Sequence, residues 1–209
     1  MKKKKLRKIF VTGGAGYIGS HCVISLIKNG YKPIIIDNFS NSNQNIIKNL
    51  EKITDKKIIF YKVDLRNKKK LKLIFNKHKC HFVIHCAGFK SVRESIDKPI
   101  SYFENNIAST LSLLECMEEN KVFKIVFSSS CTVYNEAQPL PWHETSKIGK
   151  TKNPYGTSKY IIERILMDLV KYDNKWTVRI ARYFNAFSNH TSGLIKENSE
   201  NIPHFLIPY

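Results

Sequence analysis

Acidic residues are scarce in this chain: 17 Asp and Glu stand against 35 Lys and Arg in 209 residues, a formal net charge of +18 at pH 7. A balance of that sign suits nucleic acid or another acidic surface, and its densest clusters are Lys2 to Lys5 and Lys68 to Lys70. The remaining lysines are scattered, however, with no stripe of basic and aromatic residues and no DNA- or RNA-binding motif. A Lys-, Asn- and Ile-rich composition accounts for the charge, and no nucleic-acid partner is expected. Cysteine pairs are missing too. Cys22, Cys80, Cys86, Cys116 and Cys131 contain no CxxC and no His at zinc spacing, so no metal site is expected. Free thiols in apolar runs read as small buried hydrophobes in a reducing compartment. Long apolar runs are also lacking. The first stops at Gly13, short of a signal peptide's core, and none reaches the length of a membrane span. No internal repeat is present. What remains is a soluble, cytoplasmic chain with no membrane partner, 42% hydrophobic and 11% aromatic, large enough to bury one core as a single domain.

The stretch Ile9 to Ser20 is a short apolar run, then glycines at tight spacing, then a helix start. Gly14, Gly16 and Gly19 fit G-x-G-x-x-G, and Gly13, Gly16 and Gly19 fit the variant with two residues between glycines. Such glycines make a tight turn, let the backbone approach a pyrophosphate, and let helix pack on sheet. The pyrophosphate then faces the positive end of a helix dipole. Pro33 to Asp37 reads as a second strand ending in an acid, eighteen residues beyond Gly19. A carboxylate there accepts from ribose hydroxyls and repels a 2′-phosphate, and no Arg follows it directly, so NAD is favoured over NADP.

Apolar strands alternate with helical patterns along the chain. Helices are expected over Tyr17–Asn29, Ile46–Ile53, Leu71–His78, Pro99–Glu119 and Tyr155–Tyr172. Strands are expected at Ile58–Tyr61, Phe82–Cys86, Phe123–Phe127, where three serines stop the run, and Trp176–Arg182. Short strands apolar on both faces belong to a covered parallel sheet. The expected class is α/β, a doubly wound Rossmann domain of order 3-2-1-4-5-6, with its crevice at the strands' carboxyl ends.

The chemistry gathers at those ends. Tyr155 and Lys159, four apart, share one helix face. An ammonium beside a phenol lowers the phenol's pKa, as does a nearby nicotinamide cation, giving a base for a sugar hydroxyl. Ser130 is placed to orient the same hydroxyl.

An ordered series runs through TGGAGYIGSH (Thr12 to His21), DNFSNS (Asp37 to Ser42), AGFKSVRES (Ala87 to Ser95) and ENN (Glu104 to Asn106). It continues with SSSCTVY (Ser128 to Tyr134), NPYGTSK (Asn153 to Lys159) and RYFN (Arg182 to Asn185). The series resembles the extended short-chain dehydrogenases/reductases, and among them the nucleotide-sugar 4-epimerases, over essentially the whole chain. The resemblance implies NAD-dependent epimerisation at C4 of a UDP-hexose, UDP-galactose to UDP-glucose, by transient oxidation to a 4-keto sugar. Tyr155 is then the base, helped by Lys159, acting on the sugar directly or through Ser130. It also implies Tyr17 and Ile18 at the pyrophosphate, with Asp37, Asn38, Phe39, Ser40, Asn41 and Ser42 around the adenosine. Asp64 and Leu65 fall beside the adenine. Cys86, Ala87, Gly88, Phe89 and Lys90 fall on the nicotinamide side with Asn105 and Phe184, and Asn185 touches the nucleotide-sugar. Leu65, Cys86 and Phe184 read equally as core residues. The resemblance further implies a homodimer paired through the long helices after strands four and five.

Some positions depart from the family. Dehydratase relatives carry Asp-Glu where Cys131 and Thr132 stand, so water loss is disfavoured. Cys131 replaces Ala, and Phe205 stands where an Asn amide serves the substrate. Residues 184–209 read as the start of a substrate-binding region whose remainder lies beyond the chain. The competing expectation is therefore a catalytically silent NAD-binding or interaction module.

Overall fold

The computed structural model describes residues 6–186 and 189–196. Six strands form one parallel sheet: β1 (Lys8–Thr12), β2 (Lys32–Asp37), β3 (Ile59–Lys62), β4 (Phe82–His85), β5 (Lys124–Ser130) and β6 (Thr177–Tyr183). Their order is β3-β2-β1-β4-β5-β6, as expected. Register pairs Phe10 with Ile34 and Val83, and Val11 with Ile35 and Ile84. Alternate residues of each strand therefore face opposite sides.

That alternation gives two cores. Phe10, Ile34, Ile36, Val83, Ile125 and Phe127 pack against α3 (Lys68–Lys77), α6 (Ser109–Glu119) and α7 (Pro154–Tyr172). Val11 and Ile35 pack on the other face against α1 (Tyr17–Lys28) and α2 (Asn45–Thr54). Phe10 and Phe75 meet edge-on with centroids 4.8 Å apart. Burying a strand on both faces is what the apolar runs without polar alternation encode.

The structure differs from the sequence expectation in three places that matter for the site. A short helix, α4 (Val92–Asp97), precedes the long one, its start capped by Ser91, which accepts from the Glu94 N–H at 3.2 Å. The segment Pro99–Glu119 is not one α-helix. It runs as α5 (Pro99–Phe103), a π-turn over Glu104–Ala108, and then α6. The serines do not stop β5: Ser128, Ser129 and Ser130 pair with Ala181, Arg182 and Tyr183 of β6. A single 3₁₀ turn over Cys131–Val133 follows directly.

Among the described residues no helix is long and apolar enough to cross a membrane, and no group of three or more His, Cys, Asp or Glu could hold a metal ion. The basic run Lys2–Lys5 and the stretch from 197 onward, with Phe205, lie outside the described residues. Ile195 is described and is fully buried in the core beside α1 and α2.

Candidate active site

β1 delivers the chain into the glycine turn. Gly13 has φ +66° and donates its N–H to the Ile36 carbonyl at 2.9 Å. A Cβ there would lie 2.5 Å from the Ala87 nitrogen, and one on Gly19 would lie 2.2 Å from the Gly13 carbonyl oxygen. Both obstacles are backbone, which cannot swing aside. Gly19→Ala is expected to cost about 2–3 kcal/mol of stability through this overpacking, read by urea unfolding; a loss under about 0.5 kcal/mol contradicts the close approach. Helix α1 opens on the cleft with Gly16 at its cap and no side-chain cap bond. That end suits an anion.

Asp37, at the end of β2, is 9% exposed. Its carboxylate accepts from the Ala15 N–H at 3.0 Å, the Phe39 N–H at 2.8 Å and the Ser42 hydroxyl at 3.3 Å. Burial pushes its pKa up, against the pull of those donors. The carboxylate thus ties the glycine turn to the loop after β2. Beyond it, Asn38 donates to Asp64 at 3.1 Å, and the Arg66 guanidinium grips Asp64 at 2.8 and 3.0 Å. Arg66 holds that carboxyl down at about 2.

The π-turn explains the wall formed by the loop after β4. Asn106 accepts from the Phe89 N–H at 2.8 Å and donates to the Phe89 carbonyl at 3.1 Å and to Ser158 Oγ at 3.0 Å. Ser158 in turn donates to the Tyr155 carbonyl at 2.7 Å. One buried amide therefore joins the loop after β4 to the start of α7. Behind it, His85 bridges Thr12 Oγ1 at 2.6 Å and Thr110 Oγ1 at 2.9 Å. Thr110 gives its hydrogen to the Asn106 carbonyl, so His85 Nε2 is the donor and Nδ1 the acceptor. Full burial holds the imidazole down at about 3, and it stays neutral.

Helix α7 presents Tyr155 and Lys159, the candidate reacting groups. Asn153 caps it, accepting from the Gly156 N–H at 2.7 Å, and Pro154 occupies its first position. Ser130, at the tip of β5, accepts from Thr132 N at 3.3 Å and Thr132 Oγ1 at 3.1 Å. Its own hydrogen is left over from those two contacts, and Tyr155 lines the same cleft. Lys159 is 5% exposed, donates to the Ser128 carbonyl at 2.9 Å and stands 5.9 Å from the Tyr155 ring centroid.

The phenol's pKa is not lowered as the Tyr–Lys spacing predicts. Burial raises it, with the Ser130 hydrogen bond pulling the other way. The ammonium that was to lower it is spent on a carbonyl and itself weakened: burial brings Lys159 down to about 8. A lysine charged in both states below pH 8 loses solvation on folding; between 8 and 10.5 the unfolded chain binds more protons, and above 10.5 the penalty vanishes. Wild type is therefore expected to gain about 3 kcal/mol relative to Lys159→Met as pH rises from 7 to 10.5, by urea midpoints. A pH-independent difference contradicts the buried charge.

These groups meet in one cleft of about 550 Å³ at the carboxyl ends of the strands. It holds Gly13, Gly16, Tyr17, Ile18 and Gly19 at one end, Asp37, Asn38, Ser40, Asn41, Ser42, Asp64 and Leu65 at another. Cys86 to Lys90, Asn105, Phe184, Asn185, Ser130, Tyr155 and Lys159 complete it. Phe39 is the exception. Its ring packs edge-on against Phe60, with centroids 6.1 Å apart, in the core beneath the loop. Its φ of +59° turns the chain there. Sequence reasoning missed Asn106, Thr132, Leu194 and Lys196. Asn106 lay inside the ENN motif, but nothing in the pattern distinguished it from its neighbour. Leu194 and Lys196 line the cleft because the Leu194 carbonyl is held by Asn49 at 2.9 Å.

A parallel sheet whose strand order reverses at a glycine-lined crevice defines a dinucleotide-binding α/β protein. The chain belongs to the NAD dependent epimerase/dehydratase family, whose model matches residues 9–207. It is 48% identical over 204 residues to a UDP-glucose 4-epimerase of Neisseria meningitidis serogroup C, covering 98% of this chain and 60% of that protein. It is 50% identical over 202 residues to the UDP-glucose 4-epimerase of Dictyostelium discoideum, covering 97% and 58%. Its fold superposes with a TM-score of 0.91 on UDP-glucose 4-epimerase from Bifidobacterium longum in complex with NAD+ and UDP, at 44% identity, covering 94% and 58%. The chain thus spans about 60% of the length of the curated relatives it matches.

Proposed function

We propose that the chain binds NAD and carries the catalytic groups of a C4 epimerase acting on a UDP-hexose, interconverting UDP-galactose and UDP-glucose. The observation that carries this reading is the convergence of Ser130, Tyr155 and Lys159 in the cleft lined by the glycine turn and Asp37. The cradle fits the cofactor: at Gly13 and Gly19 a Cβ would collide with backbone, and the buried Asp37 carboxylate stands ready for ribose hydroxyls. When bound, NAD supplies the acceptor and then the donor of the C4 hydride.

The chain's own residues do the rest. Tyr155 Oη takes the proton of the sugar's 4-hydroxyl and later returns it to the C4 oxygen, after the keto-sugar has turned its opposite face toward the cofactor side. Ser130 Oγ, fixed by Thr132, donates to that phenol oxygen and steadies its anion. Asn106 holds the cofactor-side loop and α7 at one spacing. Cys131 and Thr132 lack the carboxyl groups that water elimination needs, so epimerisation is favoured over dehydration. Lys90 and the start of α1 supply positive potential for the pyrophosphate.

The exposed Ile100 on α5, Leu111 on α6 and Val170 on α7 support pairing of two copies through the long helices after β4 and β5. Five free thiols support a reducing, cytoplasmic setting.

The test is to purify the chain, look for co-purifying NAD by absorbance, and follow UDP-galactose conversion. Bound NAD with turnover supports the reading. Bound NAD without turnover favours a silent NAD-binding module, and absence of NAD binding contradicts both.

A further inference from the structure

One imidazole stands in the middle of the larger apolar core. Thr12, His85 and Phe127 pair in register on β1, β4 and β5. Thr12 lies two residues beyond Phe10 and His85 two beyond Val83, so all three face the core under α3, α6 and α7. They are fully buried, as is Thr110 on α6. A polar ring in such a place is costly unless both nitrogens are bonded. Here both are: Nδ1 accepts from Thr12 Oγ1 at 2.6 Å, and Nε2 donates to Thr110 Oγ1 at 2.9 Å. The Thr110 hydroxyl passes its own hydrogen to the Asn106 carbonyl at 2.7 Å.

The neighbours of this ring belong to three different walls of the cleft, which His85 itself does not line. Thr12 leads into Gly13 of the glycine turn. Thr110 lies one turn beyond Asn106, whose side chain holds the loop after β4 at Phe89. The Phe127 ring lies 5.6 Å from the imidazole, and Lys159 Nζ sits 4.9 Å from the Phe127 centroid.

We propose that His85 is a positioning residue whose two hydrogen bonds set the gap between the glycine turn and the π-turn, the two walls between which NAD is held. The role rests on the cofactor binding proposed above. Hydrogen bonds fix distance and direction, whereas an apolar side chain in the same space would let Thr12 and Thr110 drift apart. The ring also suits both partners at once. Thr110 has already given its hydrogen away and needs a donor, while Thr12 needs an acceptor. An Asn places an acceptor near the Nδ1 position and a Gln a donor near the Nε2 position, but neither does both.

Replacing any buried partner leaves hydroxyls unpaired and lowers stability whatever the role, so affinity and stability are read separately. NAD affinity by fluorescence titration and the urea midpoint are measured on the full chain, on His85→Leu, and on Thr12→Val/His85→Leu/Thr110→Val. His85→Leu is expected to lose midpoint and to bind NAD about tenfold more weakly, a loss worth about one hydrogen bond. The triple variant is expected to recover most of the midpoint, because no hydroxyl is left unpaired, while NAD affinity stays about tenfold down. An affinity that returns with the midpoint makes His85 a structural residue only and overturns the proposal. Should the triple variant not fold, His85→Gln and His85→Asn carry the test, each titrated on its folded baseline. Each is expected to bind NAD more weakly by about threefold to tenfold, and wild-type affinity in both overturns the proposal. A wild-type chain that takes up no NAD contradicts the cofactor reading and, with it, this role.

Discussion

Replacing Tyr155 with Phe is expected to lower UDP-galactose conversion about a thousandfold while leaving NAD affinity within about twofold. On the proposed function, this removes the group that moves the C4 hydroxyl's proton and forfeits general acid–base catalysis, a contribution of about 10²–10⁴. The ring's surroundings persist, because Lys159 is anchored on the Ser128 carbonyl rather than on the phenol oxygen. The backbone near residue 155 is likewise fixed by Ser158 and Asn153. Initial rates and an NAD fluorescence titration on the same preparation separate the two effects. A variant that keeps a tenth of the wild-type rate would assign the proton transfer elsewhere, with Ser130 the next group in line.

The largest stability loss is expected at Glu163, which the reaction does not touch. Its carboxylate is fully buried and accepts from Arg182 at 2.8, 3.1 and 3.2 Å and from Ser129 Oγ at 2.5 Å. Arg182, its side chain 12% exposed, also lies 4.9 Å from the Tyr134 ring centroid. Glu163→Gln leaves that guanidinium buried without a counter-charge, and a loss of about 3–5 kcal/mol is expected by urea denaturation. Removing both charges in Glu163→Leu/Arg182→Met is expected to recover most of it, since the desolvation costs disappear together. A single variant within about 1 kcal/mol of wild type contradicts the buried pair. Glu163 lies one turn beyond Lys159 on α7, and Ser129 precedes Ser130, so the pair also locks α7 against the tip of β5.

Much of this was legible before the structure. Apolar runs without alternation showed strands covered on both faces, and the glycines and Asp37 marked the crevice and the strand order. The spacing and the place at strand ends single out Tyr155, Lys159 and Ser130, and the structure brings the three together in one cleft. The π-turn was invisible because one extra residue barely disturbs a 3.6-residue pattern, and with it went the inward placement of Asn106. The serines were read as a stop because β propensity is weak there, yet the β6 ladder carries the strand through Ser130. Phe39 was assigned from its motif, whereas packing on Phe60 decided where the ring went. The direction of the Tyr155 shift turned on burial and on which acceptor Lys159 had taken, and neither is written in a spacing of four.

The central claim is that bound cofactor turns a phenol held above its ordinary value of 10 into a base near neutral pH. The most direct measurement is an ultraviolet pH titration of the chain against Tyr155→Phe, with and without saturating NAD+, reading phenolate absorbance in the difference. Without cofactor the difference is expected to rise only above pH 10, and with it near neutral pH. A midpoint that stays above 10 in the presence of NAD+ would contradict the account.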